Sequence, residues 1–586
     1  MPNISSPLPE YILDDINYRH YLAQYQGHID NEILIIPGLY LTPINYEYAK
    51  IAIRKDLLLN DWDTNSIHDL ISNVAQFKDV FTITYINALE FYTLQEISAV
   101  EASNANYLQL NLPLNLTGSG VVVGVIDTGI DYLNEEFMTS DGKSRINEIW
   151  DQGLETATYI DTRIPYGTIY NNEEINNAIN ASRRGENPYD IVPSKDTNGH
   201  GTNMTGLIAA SGKNPNLKGI APNCNIVAIK LKEATSFKAD YDIKVPIFSI
   251  TTLFTAIEYL KNYAIRESKP LVIYLPLGTT HGNHKGNNIL DEYLQSISNN
   301  IGIVVVTGSG NEADSDGHVS GLIKNTNDSE YIQLTVSPEQ KELSVEVWVD
   351  LPCIISLDVV SPSGEQTGLI PSMINSTREH EFIFEKTSIY VQYFLPEEIT
   401  GDELIRVYFY NLQSGTWRFR LKLMSGQNAR FNAWLPQKGI SLPGTRFSPS
   451  DPFATQTIPS DSSIVITAAA YNQNNNNTLN YSGMASRYDY IDRIDVAAGG
   501  TYTLTVGLNN QTTIVNGTSV SAAIVAGACI FLLEWGIIDN NFPYMYSQSI
   551  KTFIARGTTK RRGDVYPNPE WGYGIIDFYK IFESIT

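Results

Sequence analysis

The chain has 586 residues, with 64 acidic against 40 basic side chains and a formal net charge of −24. Its length exceeds what one core supports, so about two to four domains are expected. The negative balance argues against nucleic acid or an anionic membrane as the main partner, while the apolar and charged fractions are those of a soluble globular protein.

From the N-terminus, Met1–Asp15 carries neither a positive segment nor an apolar core, so no secretory signal is expected. An alternating stretch at His20–Gln26 predicts a strand, Tyr40–Arg54 a hairpin-like pair and Val80–Ile86 another strand. Asn65–Phe77 reads as a helix with Ile67, Leu70, Ile71 and Val74 on one face. Met1–Gln95 is therefore expected to be a small α+β domain. From Glu96 to Ala313 the pattern becomes α/β. Apolar strands at Val121–Ile126, Ile226–Leu231, Leu271–Leu275 and Ile303–Val306 alternate with helical patterns such as His200–Ala210 and Ile250–Ala264. Near-continuous Val/Ile runs are the mark of buried parallel strands.

Asp314–Phe453 changes character. Alternating runs at Tyr331–Val336, Leu343–Val349, Ile354–Val360, His380–Phe384, Ser388–Phe394, Ile405–Tyr410 and Thr416–Met424, separated by turn residues, suggest an all-β sandwich. Ala454–Thr586 returns to α/β, with a strand at Ile464–Ala470 and an apolar helix after Ser519. The β block thus reads as an insertion, expected to lie beside the α/β domain and away from its chemistry. The most apolar run, Val520–Leu533, is too short for a membrane span. Cys224, Cys353 and Cys529 are odd in number and widely spaced, which argues against a disulfide framework or a zinc site and fits a reducing compartment.

Four segments carry candidate chemistry. Val121–Ile126 ends in Asp127 and a Thr-Gly turn, and carboxylates at the carboxyl ends of parallel strands are well placed to orient an imidazole. Asp127 equally suits a turn cap. His200, in Asp196-Thr-Asn-Gly-His200-Gly-Thr, opens a helix rich in small residues, where a structural histidine is the plainer reading. Ser519, in Asn516-Gly-Thr-Ser519, opens a buried helix whose free N–H groups and positive dipole end suit a nucleophile that forms an oxyanion. It also suits a helix cap. Asn311 follows a strand and a Gly-Ser-Gly turn, where an amide can donate to an oxyanion or simply make a turn.

Taken together, in the order Asp, His, Asn, Ser on an α/β background, these segments resemble the subtilisin family of serine proteases, whose triad runs Asp–His–Ser along the chain. The likeness extends to Gly219-Ile-Ala-Pro222, Leu275-Pro-Leu-Gly278, Ile494-Asp-Val-Ala-Ala-Gly-Gly500 and Trp571-Gly-Tyr-Gly574. The chain departs from the family at Asn203, where a histidine is usual, and at Ala523, where a proline is usual. Lys213 stands where calcium-binding members place oxygen ligands, so no metal is expected there. A long segment between Asp127 and His200 and the β insertion are similar to the Csp-type subtilases of clostridial bacteria.

The resemblance implies a subtilisin-like catalytic domain (96–313 and 454–586), an N-terminal prodomain (1–95) and a jelly-roll-like insertion (314–453). It implies a charge relay of Asp127, His200 and Ser519, with Asn311 as oxyanion donor. Leu275, Leu277, Gly278, Ser309 and Gly310 would line the first specificity pocket. Self-cleavage is expected between Gln95 and Glu96, with the prodomain retained in the cleft. No cofactor is implied. The implied substrate is a protein, such as the zymogen of a spore-cortex lytic enzyme, met inside the cell or spore. The alternative is a catalytically silent scaffold in germination.

Overall fold

The computed structural model describes residues 17–29, 33–43, 48–58, 64–75, 80–86, 102–110, 114–154, 166–235, 238, 243–374, 376–488 and 493–585. The chain divides into two units, Met1–Gln95 and Glu96–Thr586. In the first, β1 (Tyr18–Gly27), β2 (Ile33–Ile36), β3 (Leu39–Pro43), β4 (Tyr48–Arg54) and β5 (Phe81–Ile86) form an antiparallel sheet in the order β2-β3-β4-β1-β5. Helix Thr64–Ser72 sends Ile67 and Ile71 into a core shared with Tyr21, Tyr25, Ile51 and Ile53. It is shorter than the periodicity predicts, because the chain turns at Asn73, whose N–H closes on Asp69, and Val74 bonds back to Ile71.

The second unit is built on one large sheet. Its strands are β6 (Val122–Asp127), β7 (Ile146–Asp151), β8 (Thr168–Asn171), β9 (Asn225–Lys230), β10 (Leu271–Tyr274) and β11 (Ile303–Gly308). After the inserted block come β22 (Ile466–Asn472), β23 (Asn477–Thr478), β24 (Val496–Gly499), β27 (Thr558–Thr559) and β28 (Ile575–Ile576), while β25 (Thr503–Val506) and β26 (Thr512–Val515) form an antiparallel pair of their own. The order is β27-β28-β24-β22-β11-β10-β6-β9-β7-β8, with β23 paired to β22. Pairing is parallel from β28 through β7 and antiparallel at the two edges. Both faces are covered, which is why these strands are apolar without alternation. Val123 and Val125 point toward helices His200–Ala209 and Thr518–Leu533, while Val122 and Ile126 face helices Ile250–Glu267 and Ile289–Ser298.

Helix Thr518–Leu533 continues through a π turn at Glu534–Ile538. The combined Thr518–Ile538 helix is long and apolar enough to cross a membrane, longer than the Val520–Leu533 run suggests. It lies inside the fold, however, with 83% of its most apolar window buried. All-round apolarity is what a helix packed on every side requires.

The inserted block holds two antiparallel sheets. One is β12-β20-β14-β18-β17-β16 and the other β15-β19-β13-β21, with strands β12 (His318–Ile323), β13 (Ser329–Val336), β14 (Leu343–Val349), β15 (Ile354–Val360), β16 (Ser376–Glu381), β17 (Ser388–Phe394), β18 (Glu403–Tyr410), β19 (Gly415–Ser425), β20 (Ala429–Trp434) and β21 (Arg446–Phe447). Val345, Val347, Val391 and Val407 of the first sheet share a core with Leu357, Trp417, Phe419 and Leu421 of the second. The expected strand His380–Phe384 is replaced by Ser376–Glu381, which starts four residues earlier and ends three earlier. Phe382 is buried, but Ile383 and Phe384 lie exposed in the hairpin turn that Lys386, with φ 56°, allows.

One buried ion pair staples the sheet to its covering layer. Lys551, on helix Ser547–Arg556, donates to Asp495 Oδ1 at 3.0 Å and to the carbonyls of Ser463 (2.7 Å) and Val465 (2.9 Å). Asp495 Oδ2 accepts Thr467 N–H at 2.8 Å. Breaking one half of a buried pair leaves an uncompensated charge. Lys551→Met is expected to cost about 3–5 kcal/mol in a denaturant titration, and adding Asp495→Asn, which keeps an acceptor for Thr467, is expected to recover part of it.

Candidate active site

Asp127 ends β6 at the carboxyl edge of the sheet and is 1% exposed. Its Oδ1 accepts Thr128 N–H at 2.7 Å, and His200 Nδ1 lies 2.8 Å from Oδ2 and 3.0 Å from Oδ1. A carboxylate so placed fixes the ring's tautomer, with the proton on Nδ1 and Nε2 facing outward. Burial opposes the charged imidazole, but the charge and hydrogen bond of Asp127 outweigh it, so the His200 pKa is raised above its ordinary value.

What holds His200 is a second buried carboxylate. Asp196 Oδ1 accepts the N–H groups of Asn198 (3.1 Å) and Gly199 (2.8 Å) and the Thr128 hydroxyl (3.0 Å). Its Oδ2 accepts Thr202 N–H (3.0 Å) and the Thr202 hydroxyl (2.7 Å). The first turn of the His200 helix, which has no side-chain cap on Gly199, is thereby satisfied and charge-matched at its positive end. Gly201 is required by close approach: a Cβ there would meet Gly129 O at 2.2 Å. Asp196, Thr128 and Thr202 were not singled out by sequence reasoning. The signal was present in the short spacing from Asp196 to His200, a carboxylate just ahead of a helix.

Ser519 lies in the first turn of helix Thr518–Leu533, which Gly517 enters at φ 132°. Tyr274, at the end of β10, donates its hydroxyl to Ser519 O at 2.7 Å, a contact the sequence did not signal because Tyr274 reads as one more core residue. Asn311 Oδ1 accepts Thr518 N–H at 3.0 Å and the Thr518 hydroxyl at 3.2 Å. This assigns its oxygen and leaves Nδ2 as a free-facing donor. A methyl on Gly517 would touch Ser519 Oγ at 3.3 Å and Asn311 Nδ2 at 3.6 Å, so the two face the same small space.

His200, Asn311, Thr518 and Ser519 line one cleft, together with Pro276, Leu277, Gly278, Thr307, Gly308, Gly310, Glu312, Gln437 and Thr457. Of the expected substrate-binding residues, Leu277, Gly278 and Gly310 are in this lining. Leu275 and Ser309 are fully buried behind it, Leu275 in the sheet core and Ser309 bonded through its carbonyl to Thr457 N–H at 3.1 Å. The inserted block is not distant from the site: Gln437, three residues past β20, lines the cleft. The chain returns to the α/β domain over the cleft, which the strand pattern could not reveal. Gln95 and Glu96 lie outside the described residues. The Ser211–Lys218 loop is organised by Glu136, whose carboxylate accepts the N–H groups of Gly212, Lys213 and Asn214 at 2.8, 3.1 and 2.6 Å.

The sequence model of the subtilase family matches residues 118–337 and 450–574. The structure is similar to that of the Clostridium perfringens CspB protease, with a TM-score of 0.73 and 29% identity, covering 83% of this chain and 98% of that one. The major intracellular serine protease of Bacillus subtilis is 29% identical over 123 residues, 21% of this chain and 32% of that protein. The PI-type proteinase of Lactococcus lactis subsp. cremoris is 23% identical over 268 residues, 43% of this chain and 12% of that protein. The chain thus spans less than a third of the length of these curated relatives.

In a proton NMR titration, His200 is expected to titrate above the ordinary imidazole value of about 6.5. In Asp127→Asn it is expected to titrate below the wild-type value, because burial remains while the opposing charge is gone.

Proposed function

The chain belongs to the subtilase family, and we propose that it is a serine endopeptidase acting through Asp127, His200 and Ser519. The observation that carries this reading is the convergence of His200, Ser519 and the Asn311 amide on one cleft, with Asp127 buried behind His200. Ser519 Oγ attacks the scissile carbonyl while His200 Nε2 takes its proton, then returns it to the leaving amine. Asp127 holds the ring and stabilises the imidazolium. Asn311 Nδ2 and the Ser519 N–H, at a helix start, receive the oxyanion. No metal or cofactor enters these steps.

The similarity to a Csp-type protease supports a finer reading. Met1–Gln95 serves as a prodomain, the 314–453 block as a jelly-roll-like insertion, and the Gln95–Glu96 bond as the first substrate, with the prodomain kept in the cleft as a product-like inhibitor. A protein zymogen, such as a spore-cortex lytic enzyme precursor, is the physiological substrate on this reading.

A fluorophosphonate probe is expected to label the wild type and not Ser519→Ala, and absence of label on the wild type would sink the assignment. Purified wild type is expected to run as two bands, with a new N-terminus at Glu96, and Ser519→Ala as one. Asn311→Leu is expected to fold normally and lose about 100- to 1,000-fold in kcat; a near-wild-type kcat would show the donor to be another group. Because the base must be neutral, kcat/KM is expected to fall as pH drops through the raised pKa of His200.

A further inference from the structure

The inserted β block is bolted to the loop that follows the Leu275–Gly278 segment, which continues from β10. Glu346, fully buried and paired with Arg406 at 2.6 Å, accepts Gly282 N–H at 2.9 Å. Thr280 donates its hydroxyl to Leu435 O at 2.6 Å, Lys285 pairs with Asp402 at 2.6 Å, and the His281 and Ser344 side chains bond at 3.1 Å. Trp434, at the end of β20, stacks on His284 and His318 with ring centroids 4.1 and 4.9 Å away. A surface tied down by this many polar contacts, with Glu346 and Asp402 buried among them, holds the segment after Trp434 in a fixed position.

That segment carries two residues to the reacting groups. Lys438 Nζ donates to Asn311 O at 2.6 Å and pairs with Asp314, and Lys438 N–H donates to Glu312 Oε2 at 3.1 Å. These three contacts, to Asn311, Glu312 and Asp314, therefore fix the loop whose Asn311 amide faces Ser519. Gln437 lines the cleft beside Gly278. Its Nε2 donates to Gly278 O at 3.3 Å and its Oε1 accepts Thr280 N–H at 3.5 Å. Both bonds are at the long limit and are readily exchanged for better ones. Across from Gln437, Thr457 fills the gap between the two walls: a Cβ on Gly278 would meet Thr457 Oγ1 at 2.2 Å, and one on Gly310 would meet it at 2.7 Å. Glu312 supplies a buried carboxyl to the same lining. Beside Pro276 and Leu277, the lining thus carries an amide, a hydroxyl and a carboxyl, which gives a hydrogen-bonding side chain partners that an aliphatic one would leave unmet.

We propose that the inserted block is a working part of the cleft, with Gln437 contacting the side chain that precedes the scissile bond and selecting a carboxamide there, and Lys438 positioning Asn311. This rests on the protease reading above. Gln95 carries a side chain of the selected class.

The test uses full-length protein and peptides that differ only at the residue before the scissile bond, Gln against Met. Fluorophosphonate labelling reports whether each protein has an intact nucleophile. Wild type is expected to favour Gln. Gln437→Leu, with Gln437→Ala as the less bulky control, is expected to lower the Gln-to-Met ratio of kcat/KM by about tenfold or more. An unchanged ratio in labelled protein overturns the role of Gln437. Lys438→Met is expected to lower kcat about tenfold with little change in KM, to be restored in part by Lys438→Arg, and to have less than about a twofold effect in an Asn311→Leu background. The same loss in both backgrounds overturns action through Asn311. A wild type that neither labels nor cleaves overturns the protease reading, and this proposal with it.

Discussion

The site depends on one constraint: in a parallel sheet all strands end on the same edge, and the helices that follow begin there. β6 delivers Asp127 to that edge, β10 delivers Tyr274, and β11 runs into the turn that carries Asn311. The His200 and Ser519 helices start above it and run back over the same face of the sheet. Five groups from distant parts of the chain therefore meet without any long loop having to be ordered for the purpose. Their N–H-rich helix starts also place positive potential where negative charge is to be held.

Buried charge is the second theme, and around the site and the core helix it is answered locally. Asp127 is answered by Thr128 and His200, and Asp196 by five donors around the first turn of the His200 helix. Glu534 receives the N–H groups of Thr117, Gly118 and Ser119 at 2.9, 2.6 and 3.1 Å, tying the core helix to the turn that precedes β6. Leaving any one of these groups without its partners would cost the full desolvation of a buried charge.

The inserted block closes a core of its own while its returning segment borders the cleft. Its own core closes between two antiparallel sheets, yet Glu346, Thr280, Lys285 and Trp434 make its border with the α/β domain polar and specific. An inserted domain that returns to its host beside the cleft shapes that cleft through the returning segment rather than through its strands.

The sequence by itself determined the α/β layout, the two-sheet character of the inserted block and the identity of Asp127, His200, Asn311 and Ser519 as the residues to watch. These are local signals: apolar runs for strands buried on both faces, alternation for strands buried on one, and Gly-flanked polar residues where a strand or helix must turn. The strand at His380–Phe384 went astray because alternation continues into the exposed hairpin turn, and a turn's direction is not written in its hydropathy. Only the tertiary structure decided the supporting cast. Asp196, Tyr274, Thr457, Gln437 and Lys438 all bond to partners far along the chain, and Asp196 also caps the turn beside it. A tyrosine at the end of a core strand, or a glutamine after one, has no periodicity that names its partner; that is settled when packing brings two distant backbones within hydrogen-bond reach.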